Sequence, residues 1–263
     1  TNAVKLLNPL SGDLAFMRTS LLEGLLQNAV YNINRKNQNI KLFEFGKIYH
    51  KIEKYVERKQ LAILVSGRDI AENWLQQKSV TNFYNLKAYV KVLLEKIGVS
   101  YQEVALTDAR FSDALAFEVE GQTLVRIGKV SPAMLKDFDI EQECFYAEIE
   151  LEFAQKLRSK NDLKFKDISK FNKIRRDLAL LIDKNITYED LYQTAKRNKS
   201  TYIKAINLFD VYEGKNLPEG KKSYAMSFEL LNEEKTLEEK EITAVMDSLI
   251  KAFKKEFGAE LRS

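Results

Sequence analysis

The sequence predicts an α+β protein with two domains, of which the second has the element order strand, helix, strand, strand, helix, strand. Residues 178–182 are a short apolar run suited to a central strand, and residues 203–212 have the composition of a second strand. The helix between them and the long helix that precedes Gly258 are indicated by their apolar spacing and by signals at their ends. This order is the ferredoxin-like plan.

The first helix of this domain is predicted from the residues at its start. Thr187 followed by Asp190 is typical of a capped N-terminus, and Ile186 and Leu191 can pack together across that cap. Residues 213–220 contain the Gly and Pro of a turn and join two strand-like runs. The second and third strands are therefore expected to form a hairpin.

The third strand and the second helix complete the domain. Residues 224–228 alternate large and small side chains, the period of a half-buried strand. Thr236 and Glu239 have the spacing of a capping box, and Gly258 stands where a glycine commonly ends a helix. The apolar stripe of this helix is formed by Ile242, Val245, Met246, Leu249, Ile250 and Phe253.

The first part of the chain mixes helical and strand-like patterns. Residues 19–34 have a wide apolar helical spacing, and residues 83–97 have a helical stripe that is followed by Gly98. Residues 159–162 are the expected linker by composition. Strands are expected at residues 40–49, 61–65, 116–119, 124–130 and 145–151, with a short helix after the last of them that ends near residue 157.

Composition limits the protein to a few classes. The 263 residues are 45% hydrophobic, which is enough for buried cores, and the formal net charge of +4 is compatible with RNA binding but common in other proteins. A single cysteine, Cys144, excludes an intrachain disulfide and favours a cytoplasmic protein. No apolar run is long enough to span a bilayer, so no membrane partner is expected.

The sequence offers little material for catalysis. Its only histidine is His50 and its only cysteine is Cys144, so a Ser-His-Asp or Cys-His arrangement would depend on His50, which has no supporting neighbours. A zinc site needs several such ligands. The ten glycines contain no phosphate-binding loop motif. We therefore predict no catalytic residue and no metal ligand in this chain.

Five motifs in the second domain carry a resemblance to a known family. They are Arg-Arg-Asp-Leu-Ala-Leu at 175–180, Leu-Phe-Asp-Val-Tyr-Glu-Gly at 208–214, Lys-Lys-Ser-Tyr-Ala at 221–225, Thr-Leu-Glu-Glu-Lys-Glu-Ile at 236–242 and Ala-Glu-Leu-Arg at 259–262. In this order they resemble the ferredoxin-fold anticodon-binding domain of bacterial phenylalanyl-tRNA synthetase beta subunits. One departure is Asn172, where the family usually has proline. The resemblance implies a βαββαβ domain over residues 168–262.

The first domain is similar to another part of the same family. Close versions of Asn-Pro-Leu-Ser at 8–11, Met-Arg-Thr-Ser-Leu-Leu at 17–22 and Phe-Glu-Phe-Gly at 43–46 occur there. The resemblance implies that residues 4–157 form a class II synthetase-like antiparallel sheet module without a working active site. Class II enzymes place a motif 2 arginine on the ATP phosphate, but Lys41 and Leu42 precede Phe43 in this chain, and no motif 3 is found.

The resemblance also implies a function, which is a noncatalytic role within phenylalanine–tRNA ligase. The chain is expected to be a C-terminal fragment of the beta subunit that binds the anticodon region of tRNA(Phe) and assembles with the catalytic alpha subunit in an (αβ)2 heterotetramer. ATP and Mg²⁺ are implied for that holoenzyme, and no cofactor is expected on this chain. Two alternatives stay open: a ferredoxin-like regulatory module that binds an amino acid, and a pure assembly scaffold.

Candidate tRNA-binding residues follow from charge and aromatic character. Cations near the start of the first strand and the end of the first helix of the second domain would contact phosphates, although such residues commonly form an ordinary solvated surface. Tyr202, Tyr212 and Tyr224 can stack on bases if they lie on the exposed sheet face. The tRNA-binding candidates are Arg175, Arg176, Lys196, Arg197, Lys199, Lys204 and Tyr202.

Candidate subunit contacts lie in the apolar helix at residues 19–34. Packing within the domain accounts for much of its wide apolar face, and the resemblance implies that part of this face contacts the alpha subunit. The interface candidates are Leu21, Leu22, Leu25, Leu26 and Val30.

Overall fold

The computed structural model describes residues 2–12, 15–70, 74, 79–159, 169–198, 200–214 and 217–262. The chain forms two compact units, residues 1–163 and 164–263. Apart from Ser159, the expected linker at residues 159–162 lies outside the described residues.

The first unit is built on one antiparallel sheet. Its elements, in chain order, are α1 (Leu22–Ile33), β1 (Ile40–Lys51), β2 (Tyr55–Ser66), α2 (Phe83–Ile97), β3 (Gln102–Ala105), β4 (Phe111–Val119), β5 (Gln122–Val130), α3 (Pro132–Asp137), β6 (Cys144–Glu150) and α4 (Leu151–Ser159). The six strands have the order β1-β2-β6-β5-β4-β3, so β1 lies at one edge.

Helices cover both faces of this sheet. On one face, Leu26 of α1 packs in an apolar cluster with Leu64 of β2 and Tyr146 of β6. On the other face, Leu86 of α2 packs in a second cluster with Phe145 of β6. Because successive residues of a strand point to opposite faces, β6 is buried on both sides.

The second unit has the predicted ferredoxin-like topology. Its elements are β7 (Ile174–Asp183), α5 (Tyr188–Arg197), β8 (Ile203–Tyr212), β9 (Lys221–Leu230), α6 (Glu239–Phe257) and β10 (Glu260–Leu261). The four strands pair antiparallel in the order β10-β7-β9-β8. Counted along the chain this is the fourth, first, third and second strand, the arrangement of a βαββαβ unit. The predicted α+β fold with this second domain is therefore confirmed.

Both helices of the second unit pack on the same face of its sheet. Leu180 of β7 and Met226 of β9 share one apolar cluster with Leu191 of α5 and with Leu249 and Phe253 of α6. All five side chains are nearly fully buried. Burial of an apolar side chain of this size contributes about 1.5–3 kcal/mol, so this layer is the main source of stability in the unit.

The start of α5 is fixed by a reciprocal hydrogen-bonded cap. The Thr187 hydroxyl oxygen accepts a hydrogen bond from the Asp190 N–H at 3.2 Å, and an Asp190 carboxylate oxygen accepts one from the Thr187 N–H at 2.8 Å. The predicted cap is therefore confirmed. The helix α6 also ends as predicted, at Gly258, whose φ of +61° lies in the left-handed region that glycine adopts without strain.

The start of α6 differs from the prediction. The capping box expected at Thr236 is wrong, because the N-cap is Glu238, whose N–H donates to the Glu241 carboxylate at 3.0 Å. Leu237 is buried in the core between sheet and helices. The chain stays extended through Glu238 after inserting this side chain, and the helix begins only at Glu239.

Candidate functional site

The sheet of the second unit has one face without a helix in the described part of that unit. Along β7, Leu180 and Ile182 point into the core, so the alternate residues Arg175, Asp177 and Ala179 point to the other side. We call this side the open face. Its residues are Arg175, Asp177, Ala179 and Leu181 of β7, Ser223, Ala225, Ser227 and Glu229 of β9, and Ala205, Asn207, Phe209, Asp210 and Tyr212 of β8.

A β-bulge in β8 brings two aromatic rings to the open face. The register of β8 on β9 shifts between Leu208 and Asp210, which leaves Phe209 as the extra residue. Phe209 and Tyr212 are three positions apart, a spacing that puts side chains on opposite faces of a regular strand. Because the bulge adds one residue, both rings lie on the open face.

Each of these rings has an arginine beside it. The guanidinium carbon of Arg175 lies 5.1 Å from the centre of the Phe209 ring, and that of Arg262 lies 4.8 Å from the centre of the Tyr212 ring. Both distances are typical of cation–π contacts. Arg262 directly follows β10, and its N–H donates to the Ala179 carbonyl at 2.9 Å, which fixes this residue beside β7.

Short side chains lie on the strands beneath the two aromatic–arginine pairs. Ala179, Ser223, Ala225 and Ser227 occupy neighbouring positions of β7 and β9. None of these side chains extends more than one atom beyond Cβ. Ser223 and Ser227 are buried, so the exposed surface of this face is formed mainly by the longer side chains around them.

The Tyr212 ring lies directly against Gly214. A Cβ atom added to Gly214 would be 2.6 Å from Cζ of the tyrosine, which is closer than real Cβ contacts. Glycine at this position therefore permits the observed position of the ring, because any larger residue would displace it.

The open face suits flat, unpaired ligands such as nucleobases. The two rings offer stacking surfaces, and the guanidinium groups of Arg175 and Arg262 can stack on a base or contact a phosphate. The carboxylates of Asp177, Asp210 and Glu229 can accept hydrogen bonds from the amino and imino groups of bases, but they repel phosphates. The chemistry therefore favours base stacking and edge recognition over binding of the phosphate backbone alone.

Of the predicted tRNA-binding residues that the structure describes, Arg175 lies on the open face beside one of the two rings, and Lys204 is the extra residue of a second bulge in β8. Arg176 points toward α6, where it donates to the Glu239 carboxylate at 3.0 and 3.1 Å. Tyr202 is half-buried against the core, with its hydroxyl 3.5 Å from the Glu241 carboxylate. Arg176 differs from Arg175 because neighbouring residues on a strand face opposite sides of the sheet.

The other basic candidates are engaged in local contacts. The Lys196 ammonium lies 4.9 Å from the centre of a tyrosine ring in its own helix, and Arg197 donates to the Glu256 carboxylate of α6 at 2.8 Å. Lys204 donates at 3.2 Å to a glutamate of the loop after β9. Lys199 lies outside the described residues. The basic residues that lie close together in the sequence are therefore found in two places in the structure, the end of α5 and the start of β8.

Sequence reasoning does not single out Phe209 and Arg262, and it gives Tyr212 only a conditional role. Phe209 and Arg262 stand inside two of the five motifs that carry the family resemblance. Their membership of these motifs could have identified them as candidate site residues. The strand period could not show that the two rings share a face, because the bulge breaks that period.

The predicted subunit-interface residues of the first unit lie inside it. Leu21, Leu22, Leu25 and Leu26 are at most 3% exposed and belong to the cluster between α1 and the sheet. Val30 is half-buried at the edge of that cluster. Packing within the chain accounts for the four leucines, which leaves them no side-chain surface for another subunit.

An exposed aromatic pair lies on the edge strand β1. Phe43 and Phe45 are 70% and 65% exposed, and their ring centres are 6.1 Å apart in an edge-to-face arrangement. Single exposed apolar side chains are ordinary on protein surfaces, but adjacent ones on an outer strand are typical of surfaces that another chain covers. This pair is therefore a better candidate for a subunit contact than the leucines of α1.

A network of ion pairs and hydrogen bonds in the first unit is centred on Arg110. Arg110 donates to both carboxylate oxygens of Glu148 at 2.9 Å and to Asp108 at 2.7 Å. The hydrogen bonds from Arg110 lower the pKa of Asp108. Burial raises the pKa of the Tyr146 phenol, which donates to Glu148 at 3.2 Å. This network is a set of structural ion pairs and contains no nucleophile paired with a base.

The two residues that covalent catalysis would need do not meet. His50 lies on β1 and Cys144 on β6, with β2 between them. Burial raises the pKa of the Cys144 thiol. Among the described residues, no group of three or more His, Cys, Asp or Glu side chains is arranged to hold a metal ion. No helix in the described part of the chain combines the length and apolar character needed to cross a membrane.

Comparisons with known proteins cover both units. A family model described as the phenylalanyl tRNA synthetase beta chain CLM domain matches residues 1–151, and the ferredoxin-fold anticodon binding domain matches residues 169–262. These matches confirm the resemblance carried by the sequence motifs.

Curated relatives of the chain are phenylalanine–tRNA ligase beta subunits. That of Bacteroides fragilis is 38% identical over 99% of this chain and 34% of its own length. That of Bacteroides thetaiotaomicron is 38% identical over 98% of this chain and 33% of its own length, and that of Fusobacterium nucleatum is 34% identical over the same shares. The chain thus spans about a third of the length of these relatives.

Proposed function

Because the chain belongs to the phenylalanyl-tRNA synthetase beta chain family, we propose that its second unit binds unpaired anticodon bases of tRNA(Phe) on the open face. The observation that carries this proposal is the pair of arginine-flanked rings, Phe209 with Arg175 and Tyr212 with Arg262. Stacking of one base on an aromatic side chain contributes about 1–3 kcal/mol. Two rings on one face therefore suit a short run of splayed bases.

The residues around the rings have separate roles in this proposal. Phe209 and Tyr212 stack on bases. Asp210 accepts hydrogen bonds from base edges, which gives discrimination between bases that stacking alone cannot give. Arg262 contributes a positive charge for the neighbouring phosphate.

Within the proposed cytoplasmic holoenzyme, this chain positions tRNA and does not perform the reaction. The alpha subunit of an (αβ)2 assembly would join phenylalanine to tRNA(Phe) with ATP and Mg²⁺. Binding energy from the anticodon region is then used to orient the distant acceptor end, which is how a noncatalytic domain supports a reaction elsewhere.

RNA binding by variants of the two rings tests the proposal. The probe is a fluorescein-labelled anticodon stem–loop of tRNA(Phe), followed by anisotropy over a salt series, with a stem–loop of another anticodon as the specificity control. We expect Phe209→Ala and Tyr212→Ala each to weaken binding by about 5- to 100-fold. Tyr84→Ala, which removes an exposed aromatic residue of the first unit, is the control and should leave binding unchanged.

The same assay separates the open face from the end of α5. The double substitution Lys196→Ala and Arg197→Ala removes two cations there and should reduce binding by only a few fold, through long-range electrostatics. Loss of binding in this variant, with normal binding by the ring variants, would show that RNA binds the helix end instead.

Two further outcomes correspond to the alternative functions. Saturable binding of free phenylalanine without RNA binding would favour an amino-acid regulatory module. Absence of both, while the chain still copurifies with the alpha subunit, would favour a pure scaffold.

For the subunit contact, we propose that the alpha subunit covers Phe43 and Phe45 on β1. Their exposure leaves a large apolar area in water, and an edge strand is a common docking surface for another chain. Replacing both with serine should prevent copurification with the alpha subunit, while Tyr84→Ser should not. Normal assembly of the double variant would show that the contact lies elsewhere.

A further inference from the structure

Arg175 is held over the Phe209 ring by a carboxylate of its own strand. Its Nε donates to one oxygen of Asp177 at 2.8 Å and its Nη2 approaches the other at 3.3 Å. Arg175 and Asp177 are two residues apart on β7, so both lie on the open face. The side chains are 57% and 48% exposed, and Phe209 is 51% exposed, so this contact is accessible to a ligand.

The guanidinium occupies the place that a stacking base would take. Its carbon is 5.1 Å from the centre of the ring, within the range at which a second aromatic system stacks on a phenylalanine. A base that stacks on this side of Phe209 must therefore displace Arg175 or move it outward.

The arginine over the second ring, Tyr212, is held differently. Arg262 also lies over its ring, at 4.8 Å from the centre of Tyr212. No ion pair of Arg262 involves a described carboxylate, so this guanidinium is not held as Arg175 is. Both rings are therefore covered by a guanidinium, but only the guanidinium on Phe209 is held in place by an ion pair with a described carboxylate.

We propose that Arg175, clasped by Asp177, is an intramolecular placeholder for a base on Phe209, and that RNA binding at this position opens the Arg175–Asp177 ion pair. The inference rests on the proposed function and deepens it, because it names Asp177 as the residue that sets affinity at one of two stacking positions. Once released, the guanidinium is free to contact the phosphate of the incoming nucleotide or to stack on the outer side of the base.

The energies involved permit this exchange. An exposed ion pair and an exposed cation–π contact are each weaker than the stacking of a base on a ring. RNA can therefore displace Arg175, at a cost that lowers the affinity by a small factor. Removing the Arg175–Asp177 ion pair should therefore raise the affinity for RNA by about two- to fivefold.

The test is a set of variants of the full 263-residue chain, measured with the labelled anticodon stem–loop. Asp177→Asn keeps the shape of the side chain and removes its charge. Glu229→Gln is the matched control, because Glu229 is also on the open face and also forms an ion pair, with Lys173 at 3.1 Å. Both variants remove one negative charge that repels RNA. The difference between their RNA affinities therefore measures the effect of the Arg175–Asp177 ion pair.

We expect Asp177→Asn to bind RNA about threefold more tightly than Glu229→Gln. In an Arg175→Ala background the difference between the two should disappear, because there is no placeholder left to release. Thermal unfolding of each variant verifies that it is folded.

Equal affinities of Asp177→Asn and Glu229→Gln would overturn the placeholder, as would a gain from Asp177→Asn that persists without Arg175. Either result leaves the proposed function intact if the unmodified chain binds RNA and the ring variants do not. Absence of RNA binding by the unmodified chain would overturn both the proposed function and the placeholder.

Discussion

Arg110 shows how a buried charge is accommodated in the first unit. It lies between the carboxylates of Asp108 and Glu148, and it holds the pKa of Asp108 below the ordinary value of 3.8. A carboxylate whose pKa is lowered by folding stabilises the fold above its unfolded pKa. That contribution is lost as the pH falls through the folded pKa.

Replacing Asp108 with asparagine should therefore destabilise the protein in a pH-dependent way. At neutral pH we expect a loss of about 1 kcal/mol in the free energy of unfolding, because Arg110 keeps only one charged partner. The difference from the unmodified protein should shrink toward zero as the pH falls to about 2. Urea unfolding across this range is the measurement, with Asp113→Asn, an exposed aspartate of β4, as the control. A difference that stays constant with pH would contradict this account.

Gly214 controls the position of Tyr212, so Gly214→Ala should affect RNA binding and not folding. The added methyl group would overlap the ring, which must then rotate away from its stacking position. We expect RNA affinity to fall by about 3- to 10-fold, since part of one stacking contact is lost. Gly24→Ala in α1, where an added Cβ meets no atom within 4 Å, is the control. Unchanged affinity would mean that Tyr212 does not stack on RNA.

A helix cap can be predicted from the sequence only where no tertiary contact fixes the conformation of the residues before the helix. Thr187→Ala should destabilise α5 by about 1 kcal/mol, because the hydroxyl accepts a hydrogen bond from the Asp190 N–H. Thr236→Ala should leave α6 unchanged, since Thr236 lies outside the observed cap. Hydrogen exchange of the α5 and α6 amides measures both effects. Faster exchange in α6 after Thr236→Ala would instead support the Thr236 capping box that was predicted from the sequence.

Long elements with many apolar residues were predictable, and short elements were not. The helix expected at residues 83–97 and the strand expected at 203–212 match α2 and β8 in their bounds. The short strand β3 and the six-residue helix α3 were not expected, because neither is long enough to show a period. The strand β2 begins six residues earlier than expected, since its first half is polar and exposed.

The candidate site could be predicted only in part for the same reason. Arg175 was expected on chemical grounds, and its place on the open face follows from the strand period. Asp177 shares its strand and face with Arg175 by the same period, but Phe209 is brought to Arg175 by sheet order and by a bulge. Neither of these can be read from local sequence, because sheet order depends on pairing between distant segments.

At the scale of the whole molecule, we expect the chain to contribute binding surfaces, because its described residues place no nucleophile beside a base. The cations Arg110 and Arg126 of the first unit are both engaged by Glu148. Neither is therefore free to stabilise the charge that develops on ATP during adenylate formation.

We accordingly expect the chain alone to catalyse no phenylalanine-dependent exchange between ATP and pyrophosphate. The same assay with the alpha and beta subunits together is the positive control. Exchange above background with the purified chain would contradict this expectation, and the Arg110→Ala variant would then show whether the buried network is involved.

The extra residue in β8 determines which side chains reach the open face. If every residue of β8 paired with β9 in a regular register, the side chains after Phe209 would turn to the opposite face. Tyr212 would then enter the dry interior, while Val211 would turn to the open face. A binding surface with two rings therefore depends on the irregular pairing at Phe209 as much as on the rings themselves.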